Sequence, residues 1–538
     1  MAFSLPTHTS LIQCLDLAKK WLNMCDCGSF RTPGWTPTRL LDIGNSNSPT
    51  WKLCIPGEEN VRICDYVTLS YRWGDKPFIK LTADEFQAFR SGKPISDLPH
   101  TFRDAIAVTR HFGIKYLWVD ALCIIQDSED DIARECSVMS TVYTNSVCNL
   151  AATSSEDPFG GLFRKRNYQG ASIGNIRPNW TNLASKYWPL RSIDSVISGD
   201  YFGNEIQSSP LQCRGWILQE MVLAPKVLHF GENQLYWECN CTEKCETFPY
   251  GIVGRLSFSG SRRPLPPFSK WTAERAFSEW QRIIEIYSRC SLSKPSDKLT
   301  ALSGLAQHFQ RGTGDVYLAG LWKSQLPRTL HWKIMWTEGS GKRAHPYRAP
   351  TWTWASLEGR IGPQYSNDKH ESILVEIIDS MVETGLDSTG AVSSGILIIR
   401  APAQISIPIN DEISRPYFEF HNPRIRISVS WDEVDSVSYD VEHSLVVTTV
   451  DATCVDFLRR ERHILYGNTR WYIHGIVLRS SGEAKQFLRV GAFSLCFSRT
   501  RGQSTQSPEL ALFGLQIVDE YGMVTVRDAS VLQTFGVV

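Results

Sequence analysis

The chain has 538 residues, and its 56 basic and 56 acidic side chains cancel at neutral pH. This balance gives no broad electrostatic pull towards nucleic acid or an anionic membrane, and no apolar run approaches the roughly 20 residues that span a bilayer. The 15 cysteines are scattered and odd in number, and MAFSLPTHTSLIQCLDLAKKW at the N-terminus lacks a basic start and a sustained apolar core, so reduced thiols and a cytoplasmic location are expected.

About three domains fit this length at the usual ~100–200 residues each. Residues 1–60 read as a lead-in, with an amphipathic helix from about Ser10 to Met24 followed by a loop rich in Gly, Pro and Asn. An α/β core is expected over residues 61–250. Its first strand is Tyr66 to Trp73, YVTLSYRW, closed by Gly74, which lets the backbone turn or approach a ligand. Phe102 to Phe112 has helical apolar spacing and stops at Gly113. Tyr116 to Ile125 reads as a buried central strand interrupted by Asp120. The next helix places Ile132, Cys136, Val138, Met139, Val142 and Tyr143 within an arc of about 160° when each residue advances by about 100°. Glu135 lies inside that apolar arc. A carboxylate there costs several kcal/mol unless it is protonated, paired or open to a pocket, which makes it the first candidate for a site.

Cys213 to Cys239 predicts a short helix broken near Pro225, then strands Lys226 to Phe230 and Gln234 to Glu238 around Gly231-Glu232-Asn233. Residues 251–345 form a helical connecting region. In it SGSRRPLPP, Ser259 to Pro267, precedes a helix from Trp271 to Cys290. Residues 346–538 carry β-branched runs such as GILIIRA, IRISVSW, HSLVVTTV and TRWYIHGIVLR and read as a β-rich domain.

Three blocks, YVTLSYRWGD, LPHTFRDAIAVTRHFGIKYLWVDALCIIQDSEDDIARECSVMSTVYTNSVCNLAAT and CRGWILQEMVLAPKVLHF with LYWEC, resemble in order those of the fungal heterokaryon-incompatibility (HET) domain. DKLTALSGLA, YLAGLW and APTWTWAS resemble segments that often accompany it. The resemblance implies an intracellular fungal protein of non-self recognition and programmed cell death. It also implies a distant likeness to Toll/interleukin-receptor-like (TIR) domains, and hence a mostly parallel sheet flanked by helices. Some TIR domains cleave NAD at the nicotinamide glycosidic bond with a glutamate on a helix after a central strand. Glu135 occupies a comparable place, although Asp131-Ile132 stands where that pattern has Trp-Cys.

Cleaving a bond to cationic nicotinamide needs little acid catalysis, because the leaving group departs neutral, but it needs an anion near the ribose. The sequence reading gives that role to Glu135, with Asp120 or Gln126 orienting ribose hydroxyls or water. Arg72 and the backbone at Gly74 are expected near the pyrophosphate, with Ser70, Tyr71, Trp73 and Cys123 around the rings. NAD or NADP enters as substrate, with no cofactor, and a homo-oligomer or an incompatibility partner protein is expected.

The competing reading is a non-enzymatic signalling or scaffold module. In it Glu135 pairs with Arg103 or Arg110, Asp120 caps a loop or helix, Cys123 and Trp216 are core, and Glu220, after Gln219, is braced by Arg214. Cys239, Cys241 and Cys245 with His229 resemble part of a zinc site, but their spacing is not that of a standard knuckle, and reduced thiols are the simpler account. No GxGxxG or GxxxxGK[ST] loop is present.

Overall fold

The computed structural model describes residues 6–25, 27, 31–45, 47–59, 65–166, 174–175, 195–196, 203–251, 272–335, 341–362, 372–385 and 387–401, and then 405–407, 417–422, 425–432, 443–455, 468–500, 515–517, 524–526 and 533–538. The chain divides into two compact units, residues 1–267 and 268–538.

The described part of the first unit is built on a nine-stranded sheet. Its strands are β1 (Leu40–Asp42), β2 (Thr50–Cys54), β3 (Tyr66–Ser70), β4 (Lys93–Pro94), β5 (Tyr116–Trp118), β6 (Cys148–Ala151), β7 (Lys226–Phe230), β8 (Leu235–Cys239) and β9 (Glu243–Cys245). They lie in the order β9-β8-β7-β6-β3-β5-β1-β2-β4. The four strands β7, β6, β3 and β5 run parallel, and antiparallel strands extend both edges. Every residue of β3 and β6 is buried, as expected for parallel strands covered on both faces. Residues 1–60, read from sequence as a lead-in, supply β1 and β2 to this sheet and a helix, α1 (Ile12–Asn23), whose Trp21 packs 6.5 Å from Trp237 of β8.

Helix α2 (His100–His111) ends at a left-handed Gly113 with φ 81°. The run Tyr116 to Ile125 is not one strand. It is β5, Val119, and then one helical turn, α3 (Asp120–Cys123), because Asp120 accepts the Ala121 N–H and turns the chain out of the sheet. An apolar run buried on all sides carries no periodicity to separate these two outcomes. Helix α4 (Glu129–Asn145) starts at Ser128, whose hydroxyl accepts the Asp131 N–H, and Glu129, Asp130 and Asp131 complement the positive end of its dipole. Helix α5 (Ile217–Leu223) stops just before Pro225 and leads into the β7–β8 hairpin.

The second unit holds helices α6 (Ala273–Tyr287) and α7 (Thr300–Thr313) and, among its described residues, a ten-stranded sheet that includes Val392–Ala401, Asn468–Ser480 and Gln486–Thr500. The loop Ser259–Pro267 and Trp271 lie outside the described residues. Two downstream motifs meet here. Trp280 of α6 and Trp354 of TWTWAS both donate their indole N–H to the Gly320 carbonyl of YLAGLW at 3.1 Å. Gly320 has φ 103°, and a Cβ there would sit 2.9 Å from the Trp354 Nε1. No helix among the described residues is long and apolar enough to cross a membrane.

Candidate functional site

Glu135 is 2 % exposed and is accounted for by a cation. Arg39, immediately before β1, donates to Glu135 Oε1 at 3.0 Å and to both oxygens of Asp131 at 2.8 and 2.7 Å. Asp131 also accepts the Ile125 N–H at 2.8 Å and pairs with Arg134. The carboxylate on the apolar face is therefore enclosed in an ion-pair cluster, which corrects the expectation that it opens on a substrate. Its partner is neither Arg103 nor Arg110. Arg110 instead donates to the carbonyls of Ile43 and Ser48.

The polar groups that do converge lie at the carboxyl ends of β3 and β5, where open α/β sheets bind ligands. Asp120, half-buried, accepts the Tyr71 hydroxyl at 2.8 Å, the Trp73 indole N–H at 2.8 Å and its neighbour's backbone N–H at 2.7 Å. Beneath it, Ser70 donates to Glu220 of α5 and accepts from Asn149 of β6 at 2.9 Å, and Asn149 also accepts Thr68 at 3.0 Å. Tyr143 of α4 also hydrogen-bonds Glu220. Arg214 donates to the Tyr71 carbonyl, and its charge acts on Glu220.

Burial pushes the Glu220 carboxyl from its ordinary 4.5 up to about 7, and the Asp120 charge pushes the same way; Arg214 and the hydrogen bonds from Ser70 and Tyr143 oppose it. Between pH 4.5 and about 7 the folded chain thus keeps a proton that the unfolded chain releases, so this group's contribution to stability declines as pH rises through that window and is constant above it. Glu220→Gln, which has no such proton to lose, is expected to gain on the parent across this window, by up to about 3 kcal/mol above pH 7. Denaturation midpoints at about pH 5 and about pH 8 check this, and a gap that does not widen between them refutes it.

Residues 66–220 match the family model described as "Heterokaryon incompatibility protein (HET)". The chain carries a HET domain. No curated protein and no solved structure matches it. The HET match begins on the first residue of β3 and ends on Glu220, so it contains Ser70, Asp120, Asn149 and Glu220, while Arg39 lies before it.

Within the HET domain the remaining sequence candidates divide. Tyr71 and Trp73 hold Asp120, as above. Phe78 packs edge-on against Trp73 at 5.7 Å and lines a cleft of about 540 Å³ with Pro99, His100, Arg103 and Phe159. Lys80 lies 4.5 Å over the Trp73 ring. Arg72 is half-buried, and among the described residues no ion pair holds it. Gln126 donates to the backbone carbonyls of Asp120 and Ile124 at 3.1 and 3.0 Å, so its side-chain nitrogen braces the turn. Cys123 is 1 % exposed with its thiol pushed up to about 12 by burial, a core residue instead of a ring contact. Trp216 is half-buried and Gln219 is buried beside Glu220.

Gly74 is needed for packing. Its φ is 63° and an added Cβ would lie 2.6 Å from the Asp157 Cβ. Gly74→Ala is therefore expected to destabilise the first unit by about 1–2 kcal/mol, read as a lowered urea midpoint; an unchanged midpoint contradicts this. Sequence reasoning missed Arg39, Tyr143 and Asn149. The available signals were an arginine abutting the apolar run of β1 and an asparagine inside the buried CNLA strand.

Proposed function

We propose that this HET-domain chain acts in fungal non-self recognition and cell death by hydrolysing the nicotinamide glycosidic bond of NAD or a related nucleotide, with Asp120 as the anion that faces the reacting sugar. One observation carries the reading: three donors fix a half-buried carboxylate at the carboxyl end of the central parallel strands, with a second carboxyl, Glu220, near enough to feel its charge and raised to about 7 by burial.

The chemistry follows from charge. The C1′–N bond breaks with its electron pair going to the pyridinium nitrogen, so nicotinamide leaves neutral and needs no acid. The cation developing on the ribose is stabilised by Asp120, whose hydrogen bonds are already formed and need no reorganisation. Asp120 then accepts the proton of the water that attacks C1′. Because burial raises the Glu220 carboxyl to about 7, it is mostly neutral below pH 7 and the Asp120 charge is then not duplicated nearby. Arg72 and Lys80 supply cations for the pyrophosphate, and the Trp73 and Phe78 rings supply apolar area for a base.

The scaffold reading is favoured by a different observation, the closure of Glu135 against Arg39 with no room for a substrate. Nicotinamide release from NAD by the purified full chain, at high concentration so that self-association occurs, separates the two. Release supports hydrolysis. Its absence, in a chain whose circular dichroism is that of folded protein, leaves the scaffold reading.

A further inference from the structure

Two Cys-x-Cys motifs stand at opposite ends of the first unit's sequence, Cys25-Asp26-Cys27 and Cys239-Asn240-Cys241. Cys25 and Cys27 follow the last turn of α1, while Cys239 closes β8 and Cys241 lies in the turn to β9. The fold brings these two places together. Trp21 of α1 packs 6.5 Å from Trp237 and donates its indole N–H to the Pro249 carbonyl at 2.9 Å, which fixes the end of the helix against the hairpin.

The sulfurs of Cys25, Cys27 and Cys239 all lie within 4.8 Å of one another, and Cys27 is in hydrogen-bond contact with Cys241. All four are free thiols. Backbone hydrogen bonds from Cys27 and Cys241 run to the sulfurs of Cys25 and Cys239, so that in each motif the second cysteine's amide supports the first one's sulfur. Four thiolates around zinc at about 2.3 Å would stand about 3.8 Å apart, so a small contraction of this cluster reaches the geometry.

We propose that Cys25, Cys27, Cys239 and Cys241 form a structural zinc site that clamps the C-terminus of α1 to the β8–β9 hairpin. Sulfur-only ligation suits zinc over magnesium or calcium, and four protein ligands leave no open position for catalysis. This set differs from the one suggested by local spacing. Cys245 is buried in an apolar cluster with Ile206 and Tyr236, and His229 is held between Thr153 at 3.2 Å and Glu238 at 2.8 Å. Only Cys239 and Cys241 of that earlier group take part, and their partners come from the other end of the unit. The half-buried Cys25 and Cys27 and the exposed Cys241 give the ion a route from solvent.

The test is metal analysis of the full chain purified without chelator, with Cys239→Ser and, as a control outside the cluster, the exposed Cys213→Ser. One zinc per chain in the parent and in Cys213→Ser, lost in Cys239→Ser, is the expected result. Because Cys239→Ser could fail to fold, the parent is also stripped and reloaded with Co²⁺ alone, where the thiolate-to-cobalt charge-transfer band and intense ligand-field bands of a tetrahedral sulfur site are expected. Zinc retained in folded Cys239→Ser overturns the proposal. So does a parent with neither stoichiometric zinc nor the cobalt spectrum, or a Cys25–Cys239 disulfide found by mass spectrometry of the unreduced chain.

Discussion

Asp120→Asn is expected to lower nicotinamide release from NAD by about 10²- to 10³-fold at unchanged fold, the loss typical of removing one preorganised electrostatic contact from a developing charge. Asparagine keeps the shape. Its oxygen can accept the Trp73 indole N–H, which can only donate, and the Tyr71 hydroxyl can rotate to accept from the new amide, but the Ala121 N–H, which shares an oxygen with Tyr71, loses its acceptor. The charge is removed together with that one backbone hydrogen bond, which costs some stability, while the loss of charge makes the fall appear in kcat more than in KM. Nicotinamide release by parent and variant, with circular dichroism on both, is the measurement; equal turnover by a folded Asp120→Asn would falsify the assignment. Glu135→Gln serves as the contrast, since a residue closed against Arg39 should change stability and leave kcat near that of the parent.

Arg39→Met is expected to cost about 3–5 kcal/mol, because it takes from buried Glu135 its close cation and leaves buried Asp131 with only the mostly exposed Arg134 and the Ile125 N–H. Side-chain exposures of 5 % for Arg39, 3 % for Asp131 and 2 % for Glu135 place all three in the low-dielectric interior. The loss is in unpaired charge more than in the bonds themselves. The triple variant Arg39→Met, Asp131→Asn, Glu135→Gln should accordingly recover much of the loss even though it removes still more of the ion pairing. Urea midpoints of the parent, single and triple variants decide this. A single variant within a few tenths of a kcal/mol of the parent contradicts the burial argument, and a triple variant no better than the single contradicts the charge argument.

The local pattern carried most of the α/β elements. Gly113 marked the end of α2, Pro225 the stop of α5, and YVTLSYRW a strand from Tyr66 onwards. It also isolated Glu135 as an anomaly, and the anomaly is real, since Glu135 and Asp131 share the buried face of α4 with Met139, Val142 and Tyr143. The cause was illegible because Arg39 stands 96 positions upstream, beyond any window in which spacing has meaning. The same limit hid the candidate site. Ser70, Asp120, Asn149 and Glu220 come from four elements, and although an asparagine inside CNLA is a signal, its partner Ser70 is not apparent until β6 is laid beside β3. The cysteines repeat the lesson: Cys239 and Cys241 were visible as a motif, but the other half of their cluster lies at the far end of α1.

The sheet order has a practical corollary for anyone cutting the gene. A fragment taken at the family boundaries, 66–220, would keep β3, β5 and β6 side by side, together with β4, whose pairing partner β2 would be gone. Both flanks of the three parallel strands would be raw, with β5 stripped of β1 and β6 stripped of β7, each offering unpaired amides to the nearest other chain. The neutralising arginine at position 39 would be left behind as well. What is inherited as a recognisable segment is thus smaller than what must be synthesised together to fold, and the strands contributed from outside that segment complete the sheet in this chain.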